Sequence, residues 1–321
     1  MMKTLSFDRF GGPEVLKFCE APDPVPLAHQ ALVETRAIGL NFADVYRRKG
    51  TYHLQGKPPF IAGYEAAGVV LDAPAGSGFS AGQRVGFADM PFANAERVAV
   101  DVDKLIALPD DISFEAAAAV LLQGLTAQYL VRDSHKLLST QSVLVHAAAG
   151  GVGLLLTQLC RAFGARVIGI TSSAAKMQQV IDAGANVVAR YDEDWVAGAR
   201  TFAGSTGVDV AYDSVGSTLL QSLDAVRTGG HVVFYGMASG DPAPVDPRLL
   251  MDSSKSLTGG DLWNVLTSAA ERRQRAAELF DWLRNGRLKV HIDSQFRLSD
   301  GAAAHARLES RASSGKVLLI P

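Results

Sequence analysis

The sequence predicts an α/β fold: a doubly wound parallel sheet inserted into a second, β-rich domain. Three observations carry this. Residues 142–235 alternate apolar strand-like runs with helix-like runs. The first of those strands passes into a helix through a glycine turn, in Ser142-Val143-Leu144-Val145-His146-Ala147-Ala148-Ala149-Gly150-Gly151-Val152-Gly153. Residues 1 to about 110 are instead rich in Pro, Gly and short β-like runs, and a last apolar run, 316–320, is placed to return to them.

Element by element, Ala31–Thr35 and Gly68–Leu71 read as strands of the first part. Ser113 is a good N-cap for an alanine- and leucine-rich helix over 114–131. Strands are then expected at 142–147, 166–171, 186–189, 208–213 and 231–235, with helices at 152–163, 173–182, 192–202 and 217–226. Continuously apolar strands between amphipathic helices belong to a parallel sheet covered on both faces. The pattern breaks at Asp241–Pro247. A further strand is expected over 256–263, then a helix over 265–284 stopped by Asn285-Gly286. The expected division is 1–118 with 258–321 for the β-rich domain and 119–257 for the sheet domain.

Composition narrows the function classes. The chain has 321 residues, a formal net charge of −2, 48% hydrophobic and 20% charged residues. That is an ordinary globular composition, and it argues against nucleic-acid or membrane-surface binding, where a basic excess is expected. Asp8 and Arg9 fall where a signal peptide needs its apolar core, and no apolar run is expected to be long enough to span a bilayer. A cytoplasmic location is expected. Cys19 and Cys160 lie far apart and read as structural thiols, Cys160 on the buried face of its helix.

The glycine turn supplies the first chemistry. A strand, a glycine turn and a helix N-terminus bring backbone N–H groups and the positive end of a helix dipole to one point, where a pyrophosphate can sit. Gly150 and Gly151 admit the phosphates to the main chain, and Gly153 allows close packing of helix on strand. Ala148 takes the first glycine position of the strict G-x-G-x-x-G pattern. An NAD-binding fold places an Asp or Glu about 20 residues further on, at the end of the second strand, to hold the ribose hydroxyls. Here that strand ends in Thr171-Ser172-Ser173 with Lys176 following, and no carboxylate. Hydroxyls and an ammonium suit a 2′-phosphate, so NADPH is the expected cofactor.

Several stretches together resemble the zinc-independent quinone oxidoreductases (the zeta-crystallin type) of the medium-chain dehydrogenase/reductase superfamily. They are Gly39-Leu40-Asn41-Phe42-Ala43-Asp44-Val45-Tyr46 through Tyr52, Gly63-Tyr64-Glu65-Ala66-Ala67-Gly68, Gln123-Gly124-Leu125-Thr126-Ala127 and the glycine turn, followed by Tyr212-Asp213-Ser214-Val215-Gly216, Gly229-Gly230 and 305–321. The resemblance implies a GroES-like catalytic domain with the Rossmann cofactor domain inserted before the C-terminal return. It also implies NADPH-dependent two-electron reduction in a homodimer.

Against the zinc-dependent relatives, Asn41 stands in place of a cysteine ligand and Gly63-Tyr64-Glu65 in place of Gly-His-Glu, so no catalytic zinc is expected. Hydride transfer then needs an acceptor already activated by conjugation, a quinone or conjugated carbonyl, with a hydrogen-bond donor at the developing oxyanion. The resemblance puts Asn41, Tyr46 and Tyr52 at the nicotinamide end as catalytic residues. Asn41's amide would bond cofactor or acceptor oxygen, and either tyrosine could donate or could be a packing aromatic. Asp44, which organises the loop or a water, and Gln123 complete the substrate side. For cofactor binding it implies Asn41, Thr126, Gly150, Gly151, Val152, Gly153, Ser172, Ser173, Lys176, Tyr191, Ser214, Gly236 and Arg311, with Ser172, Lys176, Tyr191 and Arg311 toward the 2′-phosphate.

Two alternatives stay open. One is a reductase of activated C=C bonds in enones, acrylates or enoyl thioesters, for which Arg47, Arg48 and Lys49 could form a basic patch for CoA phosphates. The other is an NADPH-binding structural or RNA-binding protein of zeta-crystallin type. A short-chain reductase is rejected, because none of the seven tyrosines has a lysine four positions on.

Overall fold

A computed structural model describes all residues, Met1–Pro321, in two compact units. One comprises Met1–Leu122, Leu266–Arg284 and Val290–Pro321; the other comprises Gln123–Val265 and Asn285–Lys289.

The first unit is built on largely antiparallel sheet, with Ile292–Arg297 and Lys316–Ile320 pairing parallel. Seven strands form one sheet, six of them in the order Ile292–Arg297, Lys316–Ile320, Gln30–Gly39, Glu65–Asp72, Arg84–Ala88 and Ile106–Ala107, while Arg97–Asp101 pairs separately with Gln30–Gly39. A smaller sheet places Met2–Phe7 between Lys17–Ala21 and Phe60–Ile61. Alternating residues of these strands, among them Val33, Ile38, Ala66, Val85, Phe87, Val98 and Val317, form one buried core. Gly68 permits the tightest strand approach, since a Cβ there would lie 1.9 Å from the Glu34 carbonyl oxygen.

The second unit carries the predicted parallel sheet. Its order is Val187–Arg190, Arg166–Thr171, Ser142–Val145, Val208–Asp213, Val226–Phe234 and Ser256–Gly259. Numbered along the chain this is 3-2-1-4-5-6, the doubly wound order, and it reverses direction between Ser142–Val145 and Val208–Asp213. Leu144, Ile168, Ile170, Trp195, Ala211, Leu223 and Val232 belong to its core.

Some boundaries differ from the sequence expectation, for local reasons. Ser113 caps as expected, its Oγ accepting the Ala116 N–H at 3.1 Å, but the α-helix ends at Tyr129 and continues as a π-helical turn, Leu130–Ser134. This Phe114–Ser134 segment is long and apolar enough to cross a membrane, which corrects the sequence reading; 83% of its apolar window is buried, as in a core helix. The strand expected over 256–263 stops at Gly259, and Asp261 accepts the Trp263 N–H at 3.1 Å to start a helical turn, Leu262–Val265. The long helix restarts at Ala269, where Ser268 Oγ accepts the Glu271 N–H at 3.1 Å.

His305, on the helix Gly301–Glu309, is fully buried, and neither ring nitrogen has a hydrogen-bond partner. Burial, helped by the Arg48 guanidinium, holds its pKa down to about 3 from 6.5. Below pH 6.5 the unfolded chain therefore takes up a proton that the folded one refuses, so stability falls as the pH drops toward 3. Replacing His305 with Leu is expected to leave stability at pH 7 unchanged or higher. At pH 4.5 the variant should be the more stable by about 3 kcal/mol, read from urea unfolding at the two pH values.

Candidate active site

In the first unit the candidate residues gather around the helix Phe42–Lys49. Asp44 accepts the Asn41 N–H at 2.9 Å, fastening the helix start, and Gly50 ends it in the left-handed region at φ 77°. Asn41 is buried and its side chain is committed. Nδ2 donates to Glu65 Oε2 at 2.8 Å and to the Gly39 carbonyl at 3.2 Å, while Oδ1 accepts from Lys316 Nζ at 2.9 Å. Lys316 Nζ also donates to Glu65 Oε2 at 2.6 Å, and Glu65 Oε1 accepts the Leu122 N–H at 2.7 Å. The ammonium and carboxylate are 1% and 0% exposed. Gly39 makes room for the carboxylate, as a Cβ there would lie 2.4 Å from Glu65 Oε2.

These contacts revise several expectations. Asn41's amide hydrogens point at Glu65 and Gly39, so the residue anchors the loop instead of presenting its amide to cofactor or acceptor. Asp44 does organise the loop. It is fully buried beside Arg47, whose Nη1 lies 3.4 Å from Asp44 Oδ1; burial raises its pKa against the opposing pull of Arg47. Arg47 and Arg48 are 2% and 0% exposed and cannot form a basic patch for CoA. Arg47 stacks on Tyr64, 3.4 Å from the ring centroid, and lies 5.1 Å from that of Tyr52, while Arg48 pairs with Glu309. Tyr46 and Tyr52 are half-buried and pack edge to face at 6.2 Å, on the same helix-and-loop segment as Asn41.

In the second unit the glycine turn has the expected form. Ala147 is left-handed at φ 45°, Gly150 N–H closes the turn onto the Ala147 carbonyl at 2.8 Å, and the helix Gly151–Ala162 follows. A Cβ at Gly153 would lie 2.3 Å from the Ala147 oxygen, so helix and turn meet at van der Waals limits. At Gly151 it would lie 2.0 Å from Gln123 Oε1, which puts Gln123 beside the helix start. Ser172, Ser173 and Lys176 follow the strand Arg166–Thr171, with Lys176 ending a short 3₁₀ turn, Ala174–Lys176. Ser214 and Gly236 face each other, a Cβ at Gly236 lying 3.1 Å from the Ser214 oxygen. Thr126 lies buried in the helix Phe114–Tyr129. Arg311 is exposed, left-handed at φ 58°, and belongs to the first unit.

Tyr191 departs from its expected place. Its hydroxyl accepts the Ala147 N–H at 2.8 Å and lies 3.2 Å from His146 Nδ1, so it supports the turn. Behind it His146, Ser222 and Asp213 are fully buried. Burial pushes the Asp213 pKa up, but the Ser222 and Thr218 hydroxyls and the Val215 N–H outweigh it and hold the carboxyl below its ordinary value. Burial pushes the His146 pKa down. Sequence reasoning missed Glu65, Lys316, His146 and Ser222 as site residues. The available signals were a lysine opening an otherwise apolar strand and a histidine ending one.

The donor set does not fit a catalytic metal. The thiolate and imidazole positions carry Asn41 and Tyr64, Asn41 and the neighbouring Glu65 already hold the Lys316 ammonium, and no three His, Cys, Asp or Glu side chains converge. Lys316→Met leaves Glu65 buried without its cation and should cost about 3 kcal/mol of stability. The further change Glu65→Gln should recover much of that, as read from urea midpoints in a double-mutant cycle.

Comparison with known proteins identifies the family of both units. Residues 27–142 match the alcohol dehydrogenase GroES-like domain and residues 151–282 the zinc-binding dehydrogenase domain. A quinone oxidoreductase of Salmonella typhimurium is 40% identical, with all of both chains covered. A 2-haloacrylate reductase of a Burkholderia species is 35% identical over 97% of this chain and 96% of its own. The structure of Escherichia coli quinone oxidoreductase complexed with NADPH superimposes with a TM-score of 0.95 at 38% identity, covering 99% of this chain and 100% of that one. From its glycine turn to the polar site around Glu65, the chain belongs to the zinc-independent quinone oxidoreductase family of the medium-chain dehydrogenase/reductase superfamily.

Proposed function

We propose that this protein reduces quinones with NADPH, moving hydride without a metal. The observation that carries the reading is the pairing of a dinucleotide turn with a second strand that ends in Ser172, Ser173 and Lys176 and no carboxylate. NADPH, when bound, supplies two electrons as hydride. Reduction of a quinone to the hydroquinone needs that hydride and one further proton. With Lys316 neutralising Glu65, no Lewis acid assists, so the acceptor's own conjugation must lower the barrier. Tyr46 or Tyr52 then serves as donor to the oxygen on which charge develops, and Asn41 holds their segment in place.

The turn receives the pyrophosphate on the N–H groups of Gly151, Val152 and Gly153, with Gly150 letting the main chain approach it and Thr126, Ser214 and Gly236 as further cofactor contacts. Ser172, Ser173 and Lys176 hold the 2′-phosphate. Asp44 organises the segment that bears Tyr46 and Tyr52. The second reading, reduction of activated C=C bonds, is favoured by the likeness to a 2-haloacrylate reductase, since the same hydride delivery serves a conjugated acid.

The expected assembly is a homodimer. The strand Ser256–Gly259 is an open sheet edge, and Leu249 and Met251 on the preceding helix Pro247–Ser253 are 41% and 67% exposed. Cys19 and Cys160 are both free, which fits a reducing, cytoplasmic compartment.

NADPH oxidation should be fast with ortho- or para-quinones and much slower with enones and acrylates; the reverse order would favour the second reading. Lys176→Ala should raise the KM for NADPH about tenfold and leave that for NADH nearly unchanged. Equal rates with both cofactors in the unaltered protein would sink the 2′-phosphate assignment. Light scattering after size-exclusion chromatography should give twice the chain mass.

A further inference from the structure

The polar groups beneath the glycine turn form a continuous run of hydrogen bonds that ends on a carboxylate. Asp213, at the end of the strand Val208–Asp213, is a buried carboxylate that can only accept. Oδ1 takes the N–H groups of Val215 at 2.8 Å and Gly216 at 3.2 Å, and Oδ2 takes Thr218 Oγ1 at 2.8 Å. Ser222 Oγ lies 2.6 Å from the same Oδ2, so the single Ser222 hydroxyl proton must point at the carboxylate. The Ser222 oxygen is then left to accept, and its neighbour at 2.9 Å is His146 Nε2. Nε2 must therefore carry a proton. Burial keeps the imidazole neutral, which makes Nδ1 an acceptor. Tyr191, 3.2 Å from Nδ1, donates its hydroxyl proton there, and its oxygen accepts the Ala147 N–H at 2.8 Å.

We infer that Ala147 N–H, Tyr191, His146, Ser222 and Asp213 form one polarised hydrogen-bond chain, all donors directed toward the carboxylate, and that this chain sets the dinucleotide turn in its binding conformation. The inference rests on the dinucleotide reading of that turn. The four side chains are positioning residues. They come from the ends of three strands and from the helix Leu219–Ala225, so the chain ties Ala147 to the loop Val215–Gly216 on the far side of the sheet's reversal point. Ala147 needs such support, because φ 45° is a left-handed conformation that an alanine adopts at a cost. Packing keeps the imidazole in register: Tyr191 is nearly parallel to it at 5.8 Å and 12°, and Trp195 meets it edge-on at 4.9 Å. Tyr191 thereby acts on the cofactor through the turn, its proton facing inward.

Nitrogen-15 NMR of the histidine-labelled protein at pH 7 tests the proton order directly. It should show one histidine with Nε2 protonated and Nδ1 bare, absent from a His146→Gln sample. NADPH fluorescence titration tests the consequence. Ser222→Ala removes the relay and should raise the NADPH Kd about tenfold, with a matching rise in KM. Thr218→Ala removes a donor to the same carboxylate outside the relay and should stay within about twofold. Should Ser222→Ala fail to fold, Tyr191→Phe reads the other end and should weaken NADPH by a similar factor. A His146 ring protonated at Nδ1, or at both nitrogens, overturns the inference. So does equal weakening by Ser222→Ala and Thr218→Ala, which would make Asp213 a structural hub only. If the unaltered protein binds no NADPH, the dinucleotide reading fails and the affinity half of the inference with it, while the NMR result still decides the proton order.

Discussion

A carboxylate removed from water must be matched by a cation and by hydrogen bonds, and Glu65 meets that requirement with Lys316, Asn41 and the Leu122 N–H. Much of the first unit is organised by that need. The lysine sits 251 residues along the chain, on the strand that returns beside Gln30–Gly39, so neutralising Glu65 draws the C-terminus back to the start of the fold. The same cluster fixes Asn41, and through Asp44 the start of the helix bearing Tyr46. An internal ammonium at this point takes up the oxygens of Glu65 and Asn41.

The second unit meets a comparable requirement in another way. Its buried Asp213 has no ammonium or guanidinium against it; hydroxyls, backbone N–H groups and a neutral imidazole share the stabilisation. Hydroxyl donors can be chained where a lysine cannot, because each accepts as well as donates. One buried charge can therefore reach a turn several residues away in space and hold it against backbone strain.

The fold was largely legible in the sequence. The 3-2-1-4-5-6 sheet came from alternating strand and helix periods, and the glycine turn from residue types whose steric reasons are visible in its close contacts. Errors fell at ends of elements, where a few capping bonds decide, as at Asp261 and Ser268. The site was legible in residue identity more than in role. Asn41 lies in a buried cluster, but its amide faces inward. Tyr191 lies near the turn, but supports it from beneath. Arg47 and Arg48 look like a solvated basic run, yet one lies on the face of Tyr64 and the other against Glu309.

Local order in the chain determined the α/β class, the glycine turn, the missing acid after the second strand and the missing thiolate and imidazole ligands. Each of these is a matter of residue type within a few positions, where steric freedom and side-chain period act. Tertiary structure alone decided which charges meet. The Lys316–Glu65 pair, the Arg48–Glu309 pair and the proton order from Ala147 to Asp213 depend on strand register and helix placement between residues far apart in sequence. Electrostatic and hydrogen-bond energies change over an ångström, a scale on which sequence spacing carries no information.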